Sequence, residues 1–112
     1  MKITYANRKV EKYFTDFSKL KKKLPMDWVR TIKKHLDRLE AAETFGDFLL
    51  LNLGHPEQLS GYKKPRYSLH ITPNVRFILE LDAEKETVKL CTELEVEGVS
   101  DYHGGKENWY IR

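Results

Sequence analysis

The chain lacks several features that mark secreted and membrane proteins. It has one cysteine, Cys91, in 112 residues, so no disulfide can form within the chain, and a reducing cytosol is the expected compartment. No apolar run approaches the roughly 18 residues that span a bilayer. The first residues lack the apolar core and cleavage site of a signal peptide. We therefore expect a cytoplasmic protein that does not associate with a membrane.

The standard motifs of metal and nucleotide sites are missing as well. The histidines lack close ligand spacing, and there is no Cys-x-x-Cys. No phosphate-binding glycine loop or nucleophile elbow occurs. We therefore predict no metal and no cofactor, so that any chemistry must come from ordinary side chains.

The composition is that of a small globular protein with an uneven charge distribution. Hydrophobic residues make up 40% and charged residues 33% of the chain, which is typical of a folded domain with one core. Residues 1–40 hold 12 Lys/Arg and 5 Asp/Glu (+7), whereas residues 41–112 hold 8 and 12 (−4), which gives +3 in total. The basic part favours a polyanion such as nucleic acid or the ribosome. Alternatively, it is only a solvated helix pair with its lysines outward.

Residues 1–42 predict a short strand followed by two helices. The strand is expected at residues 3–5. Apolar residues from Val10 to Leu20 recur at helical spacing and predict a helix over about residues 8–22. Pro25 can open a second helix that runs to about residue 42. A short turn between the helices predicts an antiparallel hairpin with one apolar face to bury.

The remaining residues predict a loop, a three-stranded sheet and a tail. Residues 43–65 are expected to be irregular, and alternating apolar residues predict antiparallel strands over about 67–71, 75–81 and 88–97. The expected fold is α+β, with the helical hairpin packed on an antiparallel sheet, in one domain over 1–112 that ends in a tail over 104–112. Trp109 and Tyr110 are expected to dock back on the body. The open face of the sheet should carry Arg66, Ser68, His70, Arg76 and Glu80.

Two segments carry candidate chemistry. Asp101-Tyr102-His103 follow the last predicted strand, and three side chains that can move protons at a rigid strand exit suit RNA cleavage without a metal. A strand-end loop can also carry these residues by chance. His55 follows Gly54 in the irregular segment, and is either an ordinary loop histidine or an acid, a base or a phosphate binder. His70 is interpreted as a plain polar-face residue and His35 as a surface or boundary residue.

The order of these elements resembles the RelE/ParE toxin superfamily, and specifically its HigB-like (killer protein) branch of type II toxin–antitoxin systems. The matching motifs, in order, are Gly54-His55-Pro56, Tyr67-Ser68-Leu69, Asn74-Val75-Arg76-Phe77 and Asp101-Tyr102-His103. The resemblance covers nearly the whole chain. The loop after Pro56 is longer than usual, and nine residues follow His103, where compact members of the branch end.

The resemblance implies a toxin that cuts mRNA on the translating ribosome without a metal. The ribose 2′-oxygen attacks its own 3′-phosphate, which requires a base, a cation and an acid. By resemblance the catalytic residues are His55, Asp101, Tyr102 and His103, with Asp101 as the base or as the group that orients His103. Phosphate would be held by Arg76, Arg66, Lys64 and Lys63, and the ribosome would be contacted by Lys21, Lys22 and Lys23.

The implied partners are a cognate antitoxin, often a helix-turn-helix protein, together with the ribosome and mRNA. Two other functions stay open. The chain could be a ParE-like inhibitor that binds a protein target such as DNA gyrase and cuts nothing, which would leave Asp101-Tyr102-His103 without a task. It could also be an inactive member of the superfamily that serves as an interaction module.

Overall fold

The computed structural model describes residues 1–103 and 106–112, except for the side chains of Tyr102, His103, Lys106 and Glu107. Within these residues, helices α1 to α4 span Arg8–Thr15, Phe17–Lys23, Met26–Ala41 and Phe45–Leu50. Strands β1 to β6 span Lys2–Tyr5, Glu57–Leu59, Arg66–His70, Val75–Leu81, Glu93–His103 and Lys106–Ile111. A 3₁₀ helix covers Lys85–Leu90. The predicted α+β class is confirmed.

The strands form one mixed sheet in the order β1-β5-β4-β3-β2, and β6 also pairs with β5. β1 runs parallel to β5, and the other pairs are antiparallel. We predicted an antiparallel sheet, but the observed sheet is mixed. β1 can run parallel to β5 because a long crossover connects the two strands. β1 pairs with Glu93–Val96 and β6 with Val99–His103, so both strands lie along the same edge of β5.

The helices begin where side chains accept hydrogen bonds from the first free backbone N–H groups. The Asn7 side chain accepts from Val10 N at the start of α1, and the Asp16 side chain accepts from Ser18 N at the start of α2. Asp16 has extended backbone angles, so the single helix predicted over 8–22 is wrong: it is divided at this residue. The second predicted helix is confirmed as α3, which differs by one residue at each end.

One hydrophobic cluster joins the helices to one face of the sheet. Phe14 of α1 packs on Phe77 of β4 with ring centroids 5.4 Å apart, and His35 of α3 stacks on the same ring at 6.4 Å. Fully buried members of the cluster include Leu20, Ile32, Leu39, Phe45, Leu69, Leu81, Leu94 and Val96. Because each buried aliphatic or aromatic side chain contributes roughly 1.5–3 kcal/mol, this cluster fixes the sheet that carries the polar residues.

Other boundaries differ from the predictions. The segment expected to be irregular contains α4 and β2. Val88 and Leu90, predicted to lie in a strand, belong to the 3₁₀ helix. Asp101-Tyr102-His103, expected in a loop, form the end of β5, and the predicted tail forms β6, which pairs with them. No helix among the described residues is both long and apolar enough to cross a bilayer.

Candidate functional site

Polar residues from four strands line up on the sheet face that points away from the helices. His70 pairs with Arg76, Arg76 with Ser100, and Ser100 with Trp109. Directly paired residues share a face of the sheet, and Val75, which precedes Arg76, belongs to the core. These four residues therefore form one line across β3, β4, β5 and β6, which we call the histidine row.

His55 joins this row from the loop before β2. Its ring centroid lies 4.8 Å from that of His70. Gly54 and His55 both have positive φ, at 75° and 47°, and the Gly54 carbonyl accepts a hydrogen bond from His70 N at 2.8 Å. The loop is therefore fixed to the end of β3, and the fixed backbone places the two imidazoles side by side.

His35 supports this loop from the core. It is only 2% exposed, so its prediction as a surface or boundary residue is wrong. Its Nε2 donates to the His70 carbonyl at 2.8 Å, while its buried Nδ1 has no hydrogen-bond partner among the described residues. A Cβ at Gly54 would lie 2.6 Å from His35 Cε1. Burial lowers the pKa of His35, because the imidazolium would lose its water there.

His70 was not selected as a site residue from the sequence. Burial lowers its pKa, and the nearby positive charges of Arg76 and His55 lower it further, against a smaller opposing effect of Glu57. His70 is therefore favoured in the neutral form that accepts a proton. The signal that could have found it is the short interval between the strands predicted over 67–71 and 75–81, because a tight turn there places His70 opposite Arg76.

Arg76 lies between the histidines and Ser100. Its Nη1 donates to the Thr72 carbonyl at 2.9 Å and also contacts the Pro73 carbonyl. No carboxylate of the described part of the chain pairs with it. Main-chain carbonyls orient the guanidinium without neutralising its charge, so this arginine keeps the capacity to bind phosphate.

The predicted catalytic residues are divided between the two faces of the sheet. Asp101 pairs with Val75, which places it on the helix face. There the Tyr110 hydroxyl donates to Asp101 Oδ2 at 3.1 Å, and the Tyr110 ring packs edge-on against Trp28 at 5.2 Å. Docking of Tyr110 is thereby confirmed. The structure joins His55 to His70 and Arg76, but it places Asp101 on the opposite face.

Tyr102 and His103 are predicted catalytic residues whose side chains lie outside the part of the structure that is described. Their main chain belongs to β5, where they pair with Glu107 and Lys106 of β6. Their catalytic assignment stays a prediction based on the resemblance.

The other end of the polar face is acidic. Ligand oxygens of Glu80, Glu95 and Glu97 lie within 4.8 Å of one another, and we call these residues the carboxylate cluster. Arg66 bridges two of them, with Nε 3.0 Å from Glu80 and Nη2 2.9 Å from Glu97. The Tyr62 ring lies 4.4 Å from the Arg66 guanidinium. The spacing suits a cation, but Arg66 already neutralises part of the cluster.

Burial raises the pKa of Glu97 to about 8, and Glu95 contributes in the same direction, whereas Arg66 opposes the shift. The middle of this face is closed, because Ser68 and Ile78 are buried. The prediction of an open face carrying Ser68 is therefore wrong. The two ends of the face are separate polar regions.

The remaining predicted phosphate and ribosome contacts lie away from the histidine row. Lys64 pairs with Asp82 at 3.0 Å, and Lys63 is exposed beside it. Lys22 and Lys23 line a groove of 790 Å³ along α1 and α2, and Lys21 is exposed in the same turn. The other lining residues of this groove are Arg8, Lys9, Glu11, Lys12, Tyr13 and Lys19.

Comparison of the chain with protein-family models, curated proteins and solved structures gives no match. The function must therefore be inferred from the sequence motifs and from the chemistry of the polar face. Two imidazoles beside a guanidinium that pairs with no carboxylate of the described residues supply a base, an acid and a cation. That is the set which transfer of a phosphoryl group to a neighbouring hydroxyl requires.

Proposed function

We propose that the chain is the toxin of a type II toxin–antitoxin system and acts as a ribosome-dependent, metal-independent mRNA endoribonuclease. The observation that carries the proposal is the His55–His70 pair, with ring centroids 4.8 Å apart, beside Arg76. The four motifs shared with the HigB-like branch support the same function. Neither the histidine pair nor the motifs require a bound metal or cofactor.

In the proposed reaction, neutral His70 takes the proton of the ribose 2′-hydroxyl. The 2′-oxygen then bonds to phosphorus, and the bond from phosphorus to the 5′-oxygen breaks. Protonated His55 gives its proton to the departing 5′-oxygen, which leaves a 2′,3′-cyclic phosphate and a 5′-hydroxyl. Arg76 stabilises the extra negative charge of the phosphorane, because its planar guanidinium can pair with two oxygens at once.

The basic groove supports the ribosomal part of the proposal. It brings six cations together with one carboxylate, that of Glu11. Ribosomal RNA offers dense phosphate, and binding to it depends on charge more than on sequence. Lys21, Lys22 and Lys23 would contribute to this contact. A cognate antitoxin would hold the toxin inactive.

A specific observation favours the second candidate, a ParE-like inhibitor of a protein target. Asp101 accepts a hydrogen bond from the Tyr110 hydroxyl on the face of the sheet opposite His55. If Asp101 serves the fold in this way, part of the motif that resembles the nuclease branch has no catalytic task. The two candidates differ in whether RNA is cut.

Primer-extension mapping of a defined mRNA in a reconstituted translation system tests the proposal. We expect cuts that require translation, and we expect His55→Asn to abolish them. Asparagine tolerates the positive φ of this residue better than most side chains, so the variant removes the imidazole with little strain. His103→Ala, measured in parallel, tests the role implied by the resemblance.

Each outcome has a distinct meaning. Cuts that persist at the wild-type rate in His55→Asn would remove the histidine pair from the mechanism. No cuts from the folded wild-type protein, with growth arrest on expression, would favour the inhibitor of a protein target. Neither cuts nor growth arrest would favour the inactive interaction module.

A further inference from the structure

An aromatic side chain lies at the β6 end of the histidine row and is not used by the proposed reaction. Trp109 pairs with Ser100, so it shares the polar face with Arg76 and His70. Its side chain is half-buried, and the Arg112 guanidinium lies 5.0 Å from its ring centroid. A partly exposed indole in line with Arg76 offers a flat surface beside an arginine that pairs with no carboxylate of the described residues.

The spacing along the row suits one nucleotide. Ser100, the smallest side chain of the row, lies between Arg76 and Trp109 and is buried, so a ligand would contact the two larger side chains on either side of it. Two strand spacings of about 4.8 Å separate the backbones of Arg76 and Trp109. A phosphate at Arg76 and a base at Trp109 would therefore belong to the same or to adjacent nucleotides.

We propose that the histidine row binds single-stranded RNA, with one base stacked on Trp109 next to the phosphate held at Arg76. This inference deepens the proposed function, on which it rests, by assigning a base-binding position to the same site. Stacking requires an unpaired base, because a base inside a duplex is already covered on both faces. Stacking on an aromatic ring is also tolerant of base identity.

Arg112 fits this use of Trp109. It is exposed, and it forms no ion pair with a carboxylate of the described residues. Its guanidinium can therefore move from the indole to a phosphate without breaking an ion pair with any described residue. The Tyr62–Arg66 pair differs, because Glu80 and Glu97 hold that arginine in place. The acidic surroundings of Tyr62 also repel a polyanion, so Tyr62 provides a matched control.

Tryptophan fluorescence tests the proposal directly, since the chain contains only Trp28 and Trp109. In Trp28→Phe the emission comes from Trp109 alone, and Trp28 lies on the helix face, away from the row. We would titrate this protein with a 2′-O-methyl RNA hexamer, which cannot be cleaved because it has no free 2′-hydroxyl. A base stacked on the indole should quench the emission as the oligonucleotide binds.

Substitutions then distinguish the stacking of a base on Trp109 from the packing of Trp109 within β6. Trp109→Leu keeps an apolar side chain in β6 but removes the flat ring, and we expect about 5- to 100-fold weaker binding, the range for loss of one stacked base. Trp109→Phe should retain most of the affinity, and Tyr62→Ala should bind as the wild type does. Thermal unfolding of each variant establishes that β6 still forms.

Three results would overturn the inference: binding without quenching, equal affinity of Trp109→Leu and wild type, or no binding of the hexamer. None of these alone would overturn the proposed function, because translation-dependent cleavage is measured separately with ribosomes. Conversely, quenching and weaker binding by Trp109→Leu in a protein that cuts no mRNA would keep the RNA site and reject the nuclease.

Discussion

The histidine row and the carboxylate cluster are two ends of one sheet face, and each contains an arginine. Arg66 and Arg76 lie in the same hairpin, but the carboxyl groups of Glu80 and Glu97 hold Arg66, whereas main-chain carbonyls hold Arg76. Glu80 offsets the charge of the first arginine, whereas no carboxylate of the described residues pairs with the second. The partner of an arginine, more than its position, thus decides whether it can serve a ligand.

The two arginines therefore mark two ends of the polar face that differ in charge. Arg66 and His70 are four residues apart on β3, which is roughly 13 Å along an extended strand. A polyanion is repelled at the acidic end and attracted at the other, so a bound RNA strand would lie across the histidine row. Substitutions at the two ends should therefore have unequal effects.

The largest difference is expected between His70→Ala and Glu95→Gln. Loss of a general base lowers cleavage by about 10²- to 10⁴-fold, so His70→Ala should reduce single-turnover cleavage in the translation system by that amount. Glu95→Gln removes one charge of the carboxylate cluster and should leave the rate nearly unchanged. Similar losses in both variants would mean that the two ends act as one site.

Gly54→Ala should destabilise the fold and displace His55. The new Cβ would lie 2.6 Å from His35 Cε1, at a φ of +75°. We expect the free energy of unfolding, measured in urea, to fall by about 1–3 kcal/mol because of the backbone strain, and to fall further because of the close contact with His35. Gly61→Ala is the matched control, because Gly61 has φ +90° but no atom within 4 Å of a new Cβ. Equal losses would show that contact with His35 contributes nothing.

Glu97→Gln should change how stability depends on pH. The pKa of Glu97 is about 8 in the fold against 4.5 ordinarily, so the folded state holds a proton that the unfolded state has released between these values. The stability due to this proton is fully present below pH 4.5 and is lost as pH rises through about 8. Glutamine cannot ionise, so the melting temperature of the variant should rise relative to wild type between pH 5 and 9. If the melting temperatures of variant and wild type changed in parallel with pH, the raised pKa of Glu97 would be contradicted.

Lys22→Glu should have the smallest effect, confined to ribosome association. Each lost phosphate contact lowers the slope of log affinity against log salt by about 0.7–0.9. Sedimentation with ribosomes at several salt concentrations measures this slope. Lys34→Glu, an equally exposed change on α3 outside the groove, is the control. Equal slopes for the two variants would identify the groove as a solvated helix surface.

Parts of the fold followed from local patterns, whereas others depended on long-range pairing. Strict alternation predicted β3 and β4, and helical spacing predicted α3. Val88 and Leu90 also alternate, but the chain turns there into a 3₁₀ helix. A tail was predicted over 104–112, yet residues 106–111 pair with β5, which no local pattern in this short segment indicates.

The candidate site was predicted only in part, for a similar reason. His55 and Arg76 were chosen from their motifs, and they lie at one end of one face. His70 was interpreted as a plain strand residue, because only the register reveals its place between His55 and Arg76. A register shift at Ile78/Leu79 accompanies the contact of Glu97 with Arg66. Such a shift cannot be read from alternation.

The parallel pairing of β1 with β5 has a consequence for the order of assembly. Leu94, the partner of Ile3, lies far along the chain and is synthesised much later. Until β5 is complete, β1 lacks its neighbour, and α1 lacks much of the sheet on which it packs. Folding must therefore wait for most of the chain, since distant contacts form only after the connecting segment is closed. A truncated product would expose the apolar side of the helices and would be prone to aggregation.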